Sequence, residues 1–141
     1  MMRADLETLG RRAVACAEWR WMEGMLAVPA PGSEYEGWCR ILRASEDGVN
    51  SWTDEDGHIL DGEKDGDFAT FADLIPWLGE LVTLGGLLAL VREKWAIPTL
   101  APVCKEGVWM LWAGGLPDAL YALRAATEVE LLVAALEVQN G

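Results

Sequence analysis

Apolar residues recur at spacings of three and four near both ends and in the middle of the chain. Between those stretches the period shortens. Leu6, Leu9, Ala13, Cys16 and Ala17 share one face after Asp5, while Arg11, Arg12 and Glu18 fall off it. This spacing predicts a helix from about Leu6 to about Trp21, stopped near Gly24, with a loop at Pro29 and Pro31. From Tyr35 to Arg43 no helical stripe is present and β-prone residues predominate, so a strand is expected. Glu46-Asp47-Gly48 reads as a turn, Val49 to Trp52 as a second strand, and Asp54-Glu55-Asp56-Gly57 as a hairpin turn. His58-Ile59-Leu60 is a third, minimal strand, followed by a polar loop from Asp61 to Asp67.

Phe68 to Gly79 fits neither period, and Pro76 breaks any longer helix. Leu84, Leu87, Leu88, Val91 and Trp95 then form the buried face of a central helix, with Thr83 as its expected N-cap. Gly85 and Gly86 cost helix propensity there, which makes sense where another backbone packs closely. Pro98 and Pro102 keep the next stretch extended. Val108 to Ala113 reads as a strand, Pro117 as the first turn of a helix, and Thr127 to Glu130 as a capping box before Leu131, Leu132, Ala135 and Leu136. The order α-β-β-(β)-α-β-α predicts one α+β domain over residues 1–141. Its small antiparallel sheet is packed by an N-terminal, a central and a C-terminal helix.

Composition narrows the functional classes. The 141 residues carry 11 Lys plus Arg against 23 Asp plus Glu, a net charge of −12, and 52% are hydrophobic. That is too apolar for a disordered chain and too acidic to bind nucleic acid or an anionic membrane through a basic surface. Asp5 and Glu7 stand where a signal peptide needs an apolar stretch. The longest charge-free runs, Leu81–Val91 and Gly107–Pro117, have eleven residues each, whereas a helical span needs roughly 20. The expected location is the cytoplasm.

One distinctive segment is Arg11-Arg12-Ala13-Val14-Ala15-Cys16 with Trp19-Arg20-Trp21-Met22 and Gly24-Met25, and a second is Thr83 to Glu93 with Trp95. Both resemble segments of a family of small proteins encoded by phages and prophages. The ending from Ala126 to Glu137 is similar to that family's closing helix, in a more generic way. Glu23 stands where relatives often have Pro, and Ala17-Glu18 where they often have Lys-His, so a shared catalytic histidine is not carried over. The resemblance implies a phage origin, hence the cytoplasm of a bacterial host cell, and a helix–sheet–helix arrangement, and no particular reaction.

The charge is local. Between Glu46 and Asp73 lie ten acids and one base, Lys64, which together account for −9 of the −12. These are either solvated turns or an acidic surface offered to a basic partner. In the second case Trp52, Asp54, Glu55, Asp56, Asp61, Asp65 and Asp67 form the contact. Asp61 to Asp67 partly matches a calcium loop, but Glu63 holds the third position and Ala72 stands where the bidentate Glu belongs, so no metal is assigned. His58 with Cys39 or Ser51 makes no recognisable catalytic set. Cys16 lies four residues from both Arg12 and Arg20, which would lower its thiol pKa, yet it sits on the apolar stripe. Cys16, Cys39 and Cys104 have neither disulfide nor zinc spacing and are expected to be reduced and mostly buried.

No enzyme activity, cofactor or catalytic residue is therefore assigned. The reading is a non-enzymatic phage accessory protein that binds and modulates a host protein, such as a defence or transcription component. Two alternatives stay open. One is sequestration of a nucleotide-like ligand by Arg12, Arg20, Arg40 and Arg43. The other is a structural or assembly homo-oligomer built on the Trp-rich strand from Val108 to Trp112.

Overall fold

Alternating side chains between Cys39 and Asp61 build the main sheet. The structure, a computed structural model, describes residues 2–32, 37–45, 48–62 and 74–139. Helix α1 (Arg3–Val14) is followed by β1 (Leu26–Pro29), β2 (Cys39–Ser45), β3 (Gly48–Asp54), β4 (Ile59–Asp61) and β5 (Leu74–Pro76). Then come α2 (Leu81–Trp95), β6 (Ala101–Lys105), β7 (Val108–Trp112), the one-turn α3 (Asp118–Tyr121) and α4 (Glu128–Glu137). The strands form a five-stranded antiparallel sheet in the order β4-β3-β2-β1-β5 and a separate β6-β7 ribbon. The chain is thus α+β, with helices at its start, centre and end, as the periodicity predicts. None of the described helices is long and apolar enough to cross a membrane.

Register explains the core. Ile41, Trp52 and Leu60 face one another across β2, β3 and β4 in a single row. Ile41 and Trp52 are fully buried, and Leu60 packs against the same cluster. The neighbouring row, Arg40–Thr53–Ile59, points to the other face because side chains alternate along a strand. α4 packs against both α1 and α2. Leu131, Leu132, Ala135 and Leu136 are all buried, each Leu contributing about 1.5–3 kcal/mol of hydrophobic stabilisation. The indole Nε1 of Trp95 donates to the Ala135 carbonyl at 3.0 Å and Lys94 Nζ to that of Leu136 at 2.6 Å, tying the C-terminal turns of α2 and α4 together. Gly10 allows α1 to lie against β5: a Cβ there would sit 2.7 Å from the Pro76 carbonyl oxygen.

Several elements differ from expectation. α1 begins at Arg3, because Asp5 accepts a hydrogen bond from the Met2 backbone N–H and so lies in the first turn rather than ahead of it. It ends at Val14 instead of Trp21. Beyond it, Trp19 and Trp21 pack edge to face, with centroids 5.5 Å apart, against the core, and that packing outweighs continuing the helix. The segment read as a loop at Pro29 contains β1, an inner strand; Pro29 closes it, where a missing N–H costs little.

Thr83 is not an N-cap. It is buried one turn into α2, where its hydroxyl accepts from the Leu26 N–H (2.8 Å) and donates to Glu80 (2.9 Å), joining helix to sheet. Gly86 makes room for the Met25 side chain rather than for a backbone, and Gly85 faces open space. The ambiguous stretch before α2 supplies β5 at Leu74–Pro76. The predicted cap at Thr127 is present, accepting from the Glu130 N–H at 3.2 Å.

Candidate interaction surface

The β3–β4 turn is built by its own first residue. Asp54 Oδ1 accepts hydrogen bonds from the backbone N–H groups of Asp56 (3.0 Å) and His58 (2.8 Å), and its Oδ2 lies 3.1 Å from His58 Nδ1. The backbone N–H of Asp54 in turn donates to the His58 carbonyl. These bonds, led by that from the His58 backbone, hold the Asp54 carboxyl below its usual pKa, so it is ionised throughout the neutral range. Gly57 supplies the positive φ of 84° that closes the turn.

What the turn displays is charge with apolar neighbours. Glu55, Asp56 and His58 are exposed, and Ile59, first residue of edge strand β4, is 73% exposed. Gly37 has a φ of +86°, and its missing side chain leaves room for the Glu55 carboxylate, which would lie 2.8 Å from a Cβ at that position. Trp38, next along the chain, is 40% exposed. Cys39 pairs with Asp54, so the start of β2 and the acidic turn meet at the same end of the sheet. This end of the sheet therefore carries an exposed aromatic ring and an exposed β-branched side chain together with two exposed carboxylates.

The seven residues anticipated as a contact therefore divide. Trp52 is a correction: it is fully buried between Ile41 and Leu60, because its position on β3 points to the core face, so it offers no surface. Asp54 belongs to the turn's framework. Glu55 and Asp56 are the displayed carboxylates. Asp61 is half-buried at the end of β4, opposite Ser51. Asp65 and Asp67 lie outside the described residues, as does most of the calcium-like segment. Among the described residues, Asp54, Asp56 and His58 form a cluster whose ligand-type atoms fall within 4.8 Å of one another. One Asp54 oxygen in that cluster already accepts two backbone bonds. Trp38 and Ile59 were missed by sequence reasoning, although the alternation His58-Ile59-Leu60 places Ile59 opposite the buried side of β4.

Three of the four arginines considered for anion binding serve as ties. Arg12 pairs with Glu137 (Nε–Oε2 3.0 Å), Arg20 with Glu93 (2.6 and 2.7 Å), and Arg40 with Glu80 and the Gly24 carbonyl (2.8 Å). Each of the three glutamates is shifted below its usual pKa, chiefly by the hydrogen bond from its arginine. A hollow lined by Arg20, Trp21, Glu23, Ser45 and Glu93 thus presents a neutralised pair rather than free cations. Arg43 is exposed on β2.

The three thiols differ in exposure. Cys39 is buried, which pushes its pKa up to about 12. Cys16 is half-buried, and its pKa rises through burial and the nearby Glu137 and Glu18, against weaker opposing effects of Lys94 and Arg12. Contrary to the expectation that the thiols are mostly buried, Cys104 is exposed on the β6–β7 ribbon. Comparison with protein-family models, with curated proteins and with solved structures finds no match.

Proposed function

We propose that the chain acts by binding another protein through the acidic end of its main sheet. Its partner carries a basic surface with an apolar recess. The observation that carries this reading is the β3–β4 turn, held rigid by Asp54, which presents Glu55 and Asp56 beside the exposed Ile59 and close to Trp38. A preordered turn loses little conformational entropy on docking, and its carboxylates steer a basic partner over a distance set by salt. The sequence resemblance to phage proteins supports a host protein as the partner, with modulation of a defence or transcription component as the outcome.

The test is capture from a bacterial host lysate by the wild type and by a Glu55→Gln/Asp56→Asn double variant. A protein retained by the wild type at low salt, released at high salt and not retained by the double variant bears the reading out. Equal retention by both proteins contradicts it. Sequestration of a nucleotide is less well supported, since Arg12, Arg20 and Arg40 are already paired with glutamates.

A further inference from the structure

The register of β4 decides what its outer edge offers. Among the described residues β4 is the outermost strand of the main sheet, at one end of the order β4-β3-β2-β1-β5. The Asp54 N–H donates to the His58 carbonyl at 3.0 Å, and the Gly62 N–H to the Asn50 carbonyl at 2.9 Å. The even-numbered residues of this segment therefore face β3. Because the bonding direction alternates along an antiparallel ladder, Ile59, opposite Thr53, turns its N–H and C=O away from β3. Among the described residues none takes up those two groups of Ile59.

An edge of this kind is a template for another strand unless the chain guards it. Proline and lysine are common guards, and β4 contains neither. Ile59 is instead β-branched and 73% exposed, a residue type that favours strand pairing. The other edge of the sheet is different, since β5 is buried throughout and α1 packs against it. A strand as short as β4 supplies few backbone bonds, so side chains must select what adds to it.

Charge identifies that strand. Between Gly48 and Gly62 lie four acids, Asp54, Glu55, Asp56 and Asp61, and no Lys or Arg. Residues 1–45, by contrast, hold six acids and six bases, and residues 74–95 two of each. Glu55 and Asp56 lie on one side of Ile59 along the chain, and Asp61 on the other. We propose that an extended basic segment of the partner adds to the sheet antiparallel to β4, exchanging two backbone hydrogen bonds with Ile59. The segment's residue opposite Ile59 is apolar and forms one wall of the recess that covers that side chain. Its residues two places to either side are Lys or Arg; they share the face of Ile59 and reach toward Asp61 and the Glu55–Asp56 turn. A second copy of the chain is disfavoured here, since it would set the same four acids against each other. This mode of docking rests on the reading of the acidic turn as the binding surface, and it adds the backbone as the element that fixes register.

The synthetic peptide acetyl-Thr-Lys-Thr-Val-Thr-Lys-Thr-amide carries this pattern, with Val in the place opposite Ile59. Titration into the full chain at low salt, followed in amide NMR spectra, should shift the Ile59 resonance most. Methylating the peptide nitrogen of Val, which donates to Ile59, should weaken binding about fivefold or more. Methylating that of the next Thr, which points away from β4, should leave the affinity unchanged. Ile59→Pro removes the outward N–H and spares the ladder bonds on either side of it. That variant should bind as weakly as the wild type binds the Val-methylated peptide, with an unchanged circular dichroism spectrum. Equal affinity for the two methylated peptides, with binding lost in Glu55→Gln/Asp56→Asn, overturns strand addition and leaves the acidic turn as the docking surface. Equal affinity of the wild type and that double variant for the unmethylated peptide counts against both. A wild type that does not bind the unmethylated peptide also overturns strand addition, whatever capture from lysate returns.

Discussion

Asp54 and His58 are joined through both backbone and side chain, four residues apart across the β3–β4 turn. The carboxylate of Asp54 satisfies N–H groups that would otherwise face solvent, and this fixes the direction in which Glu55 and Asp56 point. Replacing Asp54 with Ala should therefore loosen the turn without disturbing the core. Amide exchange at Asp56 and His58 should accelerate, while exchange at Ile41 and Trp52 stays slow. Because the folded Asp54 pKa lies below its ordinary value, the turn should keep its order at neutral pH and lose it as pH falls through that lowered value.

Trp52 is the reverse case, an acidic-region residue whose work is internal. With its ring fully buried between Ile41 and Leu60, Trp52→Ala should cost about 3–5 kcal/mol in urea unfolding. Any loss of partner binding in that variant would then follow the unfolded fraction.

The Arg40–Glu80 pair predicts a defined pH dependence. Glu80 accepts from Arg40 and from the Thr83 hydroxyl, and both bonds lower its pKa in the folded state. The unfolded chain takes up this proton at higher pH than the folded one. The stabilisation is thus complete above the ordinary value of 4.5 and lost as pH falls through the lowered one. Glu80→Gln should be less stable than the wild type by about 1–2 kcal/mol at pH 7, given charge-assisted hydrogen bonds at a half-exposed site. Urea unfolding of both proteins should show that gap closing in strong acid.

Thiol labelling checks the burial pattern. With a neutral, water-soluble disulfide reagent Cys104 should react first, and Cys16 more slowly because burial raises its pKa. Cys39 should react only on unfolding. A fast-reacting Cys39 would contradict its placement on the inner side of β2.

How much of this the sequence reveals depends on the length scale of the interaction. Helix α4 was legible because its cap, Thr127, and its apolar stripe are local. The turn at Asp54 was legible for the same reason. β1 was not, since a four-residue segment ending in Pro29, with Pro31 just beyond, looks like a loop until β2 and β5 pair with it from either side. The role of Thr83 was hidden because its partner, the Leu26 N–H, lies 57 residues away. Trp52 was placed on the surface by its proximity to the acids, whereas its register between the buried Ile41 and the core-packed Leu60 sends it inward. Periodicity shows that a face is buried, but only the register shows which face.

The most direct measurement for the binding surface is the affinity of a lysate-captured partner at two salt concentrations, compared between wild type and Glu55→Gln/Asp56→Asn. The account predicts tight wild-type binding at low salt that weakens as salt rises, and weak, nearly salt-independent binding by the double variant. Equal affinity and an equal salt response in the two proteins would contradict it.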